Sequence, residues 1–121
     1  MSADTAMLHA QSYGELTQAV SADLGALRAD APGVMKGFAE LGRAAMAEGV
    51  VDKKTKELIA VALSVAARCD PCIGFHVQGL VKMGASRQEL NEVLGVAVYM
   101  GGGPSLMYAA SAVSAFEEFS R

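Results

Sequence analysis

The chain has 121 residues, of which 52% are hydrophobic, a mean hydropathy of +0.30 and a formal net charge of −3. The length fits one domain, and the acidic balance without any basic stretch excludes the electrostatic footprint of a nucleic-acid binder. No apolar run reaches the roughly 18–20 residues of a membrane helix, because Arg68 and Asp70 end the longest one, and Met1 to Ala10 lack a secretory signal's basic start and apolar core, so a cytoplasmic protein with no membrane partner is expected.

The hydrophobic pattern is helical from end to end. Leu16, Val20, Leu24 and Leu27 recur at i, i+4, i+8 and i+11, which predicts an amphipathic helix over Gly14 to Arg28. Asp30 followed by Pro32 resembles a second helix start. Val34, Phe38, Leu41 and Ala45 carry its period, and Gly49 reads as its stop. Asp52 is placed to cap a third helix from Lys53 to about Arg68. After its charged first turn this helix is apolar nearly all round, from Leu58 to Ala67, which predicts burial on every side. Asp70 and Pro71 read as N-cap and first residue of a fourth helix ending at Gly84. Ser86-Arg87-Gln88-Glu89 is a capping box for a fifth, with Leu90, Val93, Leu94, Ala97 and Val98 on its apolar face. Gly101-Gly102-Gly103-Pro104 breaks the chain before a last helix that runs from Pro104 to about Phe119. No strand alternation or hairpin signal interrupts this series. The expectation is an all-α, single-domain bundle of about six helices spanning residues 1–121.

A domain of this size buries only about two-thirds of the surface of its unfolded chain. The apolar surplus must then be exposed or covered, which predicts a homo-oligomer.

The chain has two cysteines, and they stand together as Cys69-Asp70-Pro71-Cys72, with His76 one helical turn beyond the second. A cytoplasmic cysteine pair is more often catalytic or metal-binding than a permanent staple. Cys72 falls in the first turn of the fourth helix, where unpaired N–H groups and the helix dipole favour a thiolate. His76 lies four residues on, on the same face, where it can take the thiol proton. Cys72 is therefore the expected attacking thiolate and Cys69 the resolving thiol, an arrangement that does redox chemistry without a bound cofactor. Glu57 is the candidate third member, able to orient His76 if it reaches it. A simple hairpin of the third and fourth helices places His76 nearer Leu63, so a crossing angle or a bridging water would have to close the gap.

Plainer readings compete with these. The cysteines could be small buried hydrophobes, or zinc ligands with His76 and a fourth group. His76 could be a satisfied core histidine, and Glu57 a solvated carboxylate at a helix start. The glycine run lacks the strand and lysine of a phosphate loop, so it reads as a hinge or a close packing contact. The seven methionines read as core and interface filler. His9 carries no argued role, and Tyr99 and Tyr108 read as packing residues.

Taken together, Lys56-Glu57-Leu58-Ile59-Ala60, Cys69-Asp70-Pro71-Cys72, His76, and Gly84-Ala85-Ser86 with Glu89-Leu90 resemble the carboxymuconolactone decarboxylase / alkylhydroperoxidase D superfamily over roughly residues 50–115. The CxxC pair places the likeness in the alkylhydroperoxidase D branch. The resemblance implies an all-α fold assembled as trimers, dimers of trimers or other oligomers. It also implies reduction of hydroperoxides through the dithiol, with a Glu–His proton relay serving the second cysteine. Glu57, Cys69, Cys72 and His76 would fill those roles, and a dithiol such as dihydrolipoamide would recharge the pair. The founding enzymes carry a further histidine immediately before the second cysteine. Pro71 stands there in this chain, which implies a simpler relay and a stiffer turn. The superfamily's other branch implies a different reading, decarboxylase- or lyase-like chemistry on a small organic acid. A redox-sensing or zinc-binding module is the non-enzymatic alternative.

Overall fold

The computed structural model describes residues 12–121, so His9 lies outside the described residues. Six α-helices follow one another: α1 Tyr13–Asp30, α2 Pro32–Met46, α3 Lys53–Ala66, α4 Asp70–Lys82, α5 Arg87–Gly101 and α6 Gly103–Phe119. No strand occurs among the described residues. The all-α expectation and the number of helices stand.

Local chemistry sets most helix ends. Ser12 and Glu15 form a reciprocal capping box at α1, as Ser86 and Glu89 do at α5. Asp52 accepts the Thr55 N–H at 2.7 Å and caps α3. That hydrogen bond holds the Asp52 carboxyl below its usual range. Gly84, at φ +78°, ends α4 in a left-handed turn that only glycine enters freely. The turn closes with Gly84 N–H on the Val81 carbonyl and Ala85 N–H on the Leu80 carbonyl. Of the expected glycine break, only Gly102 (φ +72°) leaves the helix; Gly101 ends α5 and Gly103 begins α6.

The core is built by α3, α4, α5 and α6. Val61, Val65, Ile73, Val77, Leu80 and Leu90 are fully buried, each side chain contributing roughly 1.5–3 kcal/mol of transfer free energy. Opposite them α6 presents small residues, Ala109, Ala112 and Ala115, so helix axes can approach closely. α1 lies on α4 and touches α6. Among the described residues, α2 touches only α1 and α3.

In two helices the protomer buries less than the apolar patterning offers. α3 is buried along one face only, through Glu57, Leu58, Val61, Ser64 and Val65, while Ile59 and Leu63 remain exposed. α2, whose apolar face is plain in the sequence, buries none of its residues, and Phe38 is 72% exposed. The apolar side of α2 and the outward apolar residues of α3 find no cover among the described residues.

The crossing of α1 over α4 depends on Gly74. A Cβ placed there would stand 2.7 Å from Thr17 Cγ2 and 3.2 Å from Tyr13 Cδ1, inside van der Waals contact. Gly74→Ala should therefore lower stability by about 1–2 kcal/mol, the overpacking cost exceeding the gain in helix propensity. A urea melt would show a lower midpoint, and an unchanged or raised midpoint would contradict this packing.

Candidate active site

The site is built at the turn between α3 and α4. Arg68 adopts a left-handed conformation at φ +58°. Its N–H bonds the Val65 carbonyl at 3.1 Å, and the Cys69 N–H bonds the Ser64 carbonyl at 3.1 Å. These are the two hydrogen bonds of a Schellman turn, here with arginine in the place glycine usually takes. The turn stops α3 at Ala66, two residues short of the expected Arg68. It also leaves Cys69 extended and makes it the N-cap of α4. The expected cap, Asp70, is instead the first residue inside the helix. Its carboxylate turns away and accepts the Tyr13 hydroxyl of α1 at 2.9 Å.

Cys69 Sγ accepts the Cys72 backbone N–H at 3.2 Å. Cys69 and Cys72 are joined as a disulfide, so the structure represents the oxidised pair. Both cysteines are half-buried rather than sealed in the core. A cap sulfur that accepts a first-turn N–H occupies a position where negative charge is stabilised.

Glu57 Oε1 lies 2.6 Å from His76 Nδ1. No water is needed between them, and the expected gap is closed by helix register. The turn is centred on Arg68, which sets Glu57 level with Gly79 and one turn from His76. A Cβ on Gly79 would come within 3.3 Å of Glu57 Oε1, so the bare glycine backbone makes the room the carboxylate occupies. The Glu57 side chain is 9% exposed and that of His76 is 39% exposed. A carboxylate so buried needs a partner, and His76 supplies it; no buried side-chain polar atom among the described residues lacks one. An ionised Glu57 can only accept, so it engages Nδ1–H of His76 and leaves Nε2 as the ring nitrogen facing away from the carboxylate. His76 and Cys72 share one face of α4, four residues apart.

Two further features frame the site. A groove of about 270 Å³ runs between the end of α2 and α3, lined by Met46, Val51, Lys56, Ile59, Ala60 and Leu63. Ala60 is one turn along α3 from Glu57. At the mouth of this groove Lys56 Nζ donates to the carbonyls of Ala45 (3.0 Å) and Ala47 (2.7 Å), tying down the carbonyl end of α2.

The four residues expected from sequence fall into two pairs on neighbouring helices: Cys69 is bonded to Cys72, and Glu57 is hydrogen-bonded to His76. Gly79 and Tyr13 were missed. A glycine in a helix interior costs about 1 kcal/mol against alanine, which is the signal that could have marked Gly79 as a close approach. Nothing near Tyr13 in sequence announces its bond to Asp70, 57 residues away.

The chain matches the model of the carboxymuconolactone decarboxylase family over residues 32–115. It belongs to that family, and the match begins earlier in the chain than the motifs alone suggested. It is 40% identical over 98 residues to an uncharacterized protein of Cupriavidus necator, covering 81% of this chain and 87% of that one. An uncharacterized protein encoded in the cox locus of Paracoccus denitrificans is 34% identical, over 81% of this chain and 88% of its own length. Among solved structures, the apo form of a carboxymuconolactone decarboxylase family protein from Legionella pneumophila superposes with a TM-score of 0.89 at 57% identity, covering 90% of this chain and 97% of that one. A family protein from Thermotoga maritima, described as a candidate participant in an antioxidative response, superposes with a TM-score of 0.75 at 32% identity, over 84% of this chain and 87% of its own.

Gly79→Ala tests the geometry of the buried pair. The added methyl should lower the melting temperature, because displacing a buried carboxylate from its partner costs more than helix propensity returns. It should also push the Glu57 carboxylate off His76 and slow alkylation of the reduced dithiol several-fold at neutral pH. Thermal melts paired with iodoacetamide kinetics check this; an unchanged alkylation rate would contradict it.

Proposed function

We propose that this protein is a thiol-dependent peroxidase, or a disulfide reductase of the same mechanism, with Cys72 as its nucleophile. The carrying observation is the pair of linked contacts at one helix start: a CxxC disulfide at the N-terminus of α4 and, on that helix, a histidine held by a buried carboxylate. The description of the Thermotoga maritima relative agrees with this reading.

In the reduced protein His76 Nε2 takes the Cys72 thiol proton, and Glu57 stabilises the imidazolium that forms. The Cys72 thiolate attacks the terminal oxygen of a hydroperoxide, the O–O bond breaks, and a cysteine sulfenic acid forms. The departing alkoxide takes the proton from His76 and leaves as the alcohol. Cys69, whose sulfur caps α4, then gives its thiol proton to His76 and attacks the sulfenic sulfur. The S–O bond breaks, the hydroxide takes that proton from His76 and leaves as water, and the disulfide closes. A small dithiol such as dihydrolipoamide then reduces it by thiol–disulfide exchange. The groove beside Ala60 offers an apolar wall to the organic end of a substrate. The chemistry fits a reducing compartment such as the cytoplasm.

Steady-state turnover of an alkyl hydroperoxide with dihydrolipoamide tests the reading. Cys72→Ser should abolish turnover. Cys69→Ser should stop after one equivalent, at the sulfenic acid. Glu57→Gln and His76→Gln should each lower kcat by about 10²-fold or more, the usual contribution of a positioned proton-transfer group. Full activity in Cys72→Ser would overturn the assignment, and activity surviving loss of both cysteines would favour the lyase reading.

We further infer that the chain works as a homo-oligomer, a trimer or hexamer. Val34, Phe38 and Leu41 on α2 are 63–72% exposed, with Ile59 and Leu63 exposed on α3. Val96, Tyr99, Met100, Leu106 and Met107 form a second exposed apolar set around the α5–α6 junction. Two unlike surfaces are what a head-to-tail ring needs. Light scattering should give a multiple of the 12.5 kDa protomer, and Phe38→Asp should shift it towards monomer. A wild-type monomer at micromolar concentration would refute the assembly.

A further inference from the structure

Tyr13 stands where three helices meet. Its backbone N–H and that of Gly14 are held by the Glu118 carboxylate of α6, at 2.9 and 2.8 Å. Its ring lies against the bare backbone of Gly74 on α4. Its hydroxyl reaches Asp70 Oδ1 at 2.9 Å. Asp70 sits inside the redox motif, next to Cys69 and two residues from Cys72.

A free aspartate in the first turn of a helix tends to direct its carboxylate towards that turn's unpaired N–H groups. Here one of those N–H groups, that of Cys72, is already on the sulfur of Cys69. A carboxylate swung into the same place would compete for the donors. It would also set a negative charge beside both sulfurs, which disfavours a thiolate.

We propose that Tyr13 is a positioning residue for the dithiol: by binding the Asp70 carboxylate it holds that charge off the helix end and reserves the first-turn N–H groups for a cysteine thiolate. This rests on the reading of Cys69 and Cys72 as a working redox pair. Tyrosine is suited to the task. Burial pushes its hydroxyl up to about 12, with the Asp70 carboxylate adding to the rise and a hydrogen bond with Ser111 opposing it. It therefore stays a proton donor across the range in which thiols titrate. Among the described residues, the other titratable groups facing this end of α4 are few. His76 on α4 and Glu57 on α3 engage each other, Tyr108 on α6 lies near Tyr13, Glu118 is committed to the start of α1, and Arg68 at the turn is exposed.

The test is the pH dependence of iodoacetamide alkylation of the reduced protein, read by mass spectrometry. Wild type, Tyr13→Phe, Asp70→Asn and the double variant are compared. Tyr13→Phe should raise the pKa of the more acidic thiol by about half a unit or more, so that alkylation below that pKa slows about three-fold. Asp70→Asn should lower it, and adding Tyr13→Phe to Asp70→Asn should change nothing further. A Tyr13→Phe profile that superimposes on wild type overturns the proposal. So does a shift that persists undiminished in the Asp70→Asn background, because Tyr13 would then act only through the packing of α1. If Tyr13→Phe does not fold, Asp70→Asn alone decides: a thiol no more acidic than wild type overturns the proposal. Alkylation needs no peroxide, so a failure of hydroperoxide turnover would sink the peroxidase reading without touching this result.

Discussion

The turn at Arg68 is the constraint from which the rest of the site follows. An L-residue in the left-handed region is strained by roughly 1–2 kcal/mol, and here the two closing hydrogen bonds to Val65 and Ser64 offset that strain. Because the chain reverses there, Cys69 lands at the N-cap of α4 and its sulfur meets the Cys72 N–H. The same reversal fixes the register between α3 and α4, setting Glu57 opposite Gly79 and within reach of His76. Moving the turn by one residue would rotate one helix by about 100° relative to its neighbour. The carboxylate and the imidazole would then no longer face each other.

A buried carboxylate is costly unless it is paired, and Glu57 is paired with a group that is itself partly open to solvent. The inner partner holds the ring at Nδ1, and under the proposed mechanism the outer nitrogen exchanges the proton. On the other side of the helix start, the Asp70 carboxylate accepts the Tyr13 hydroxyl. Two carboxylates within one turn-helix unit thus take opposite directions, one turned in to His76 and one turned out to Tyr13.

The helices, the caps at Asp52 and Ser86 and the glycine stop at Gly84 were legible in the sequence because each rests on local chemistry, as does the spacing of Cys72 and His76, whereas Glu57 drew its weight from the family resemblance. A serine three residues before a glutamate, an aspartate before a charged turn and a cysteine four residues before a histidine all carry their meaning within one or two helical turns. What could not be read depends on tertiary register. The Glu57–His76 contact requires the reversal at Arg68, and nothing about an arginine announces a positive φ. The cap of α4 was assigned to Asp70 on residue preference, but Tyr13, which draws that side chain away, comes from the far end of the fold. Gly74 and Gly79 look alike in sequence; one admits a neighbouring helix and the other a carboxylate. The apolar faces of α2 and α3 were visible as periodicity, whereas their exposure in the protomer was not, because periodicity says which side is apolar and not what covers it.

Lys56 gives the loosest helix a mechanical link to the most constrained turn. α2 is joined to α1 through the single residue Ala31, and at its other end its carbonyls rest on the Lys56 ammonium. It is held at both ends and presents its apolar face outward in between. The residue after Lys56 is Glu57, so the tie to α2 and the buried carboxylate occupy adjacent positions of α3. A partner that seated α2 would therefore bind one residue away from the Glu57–His76 pair.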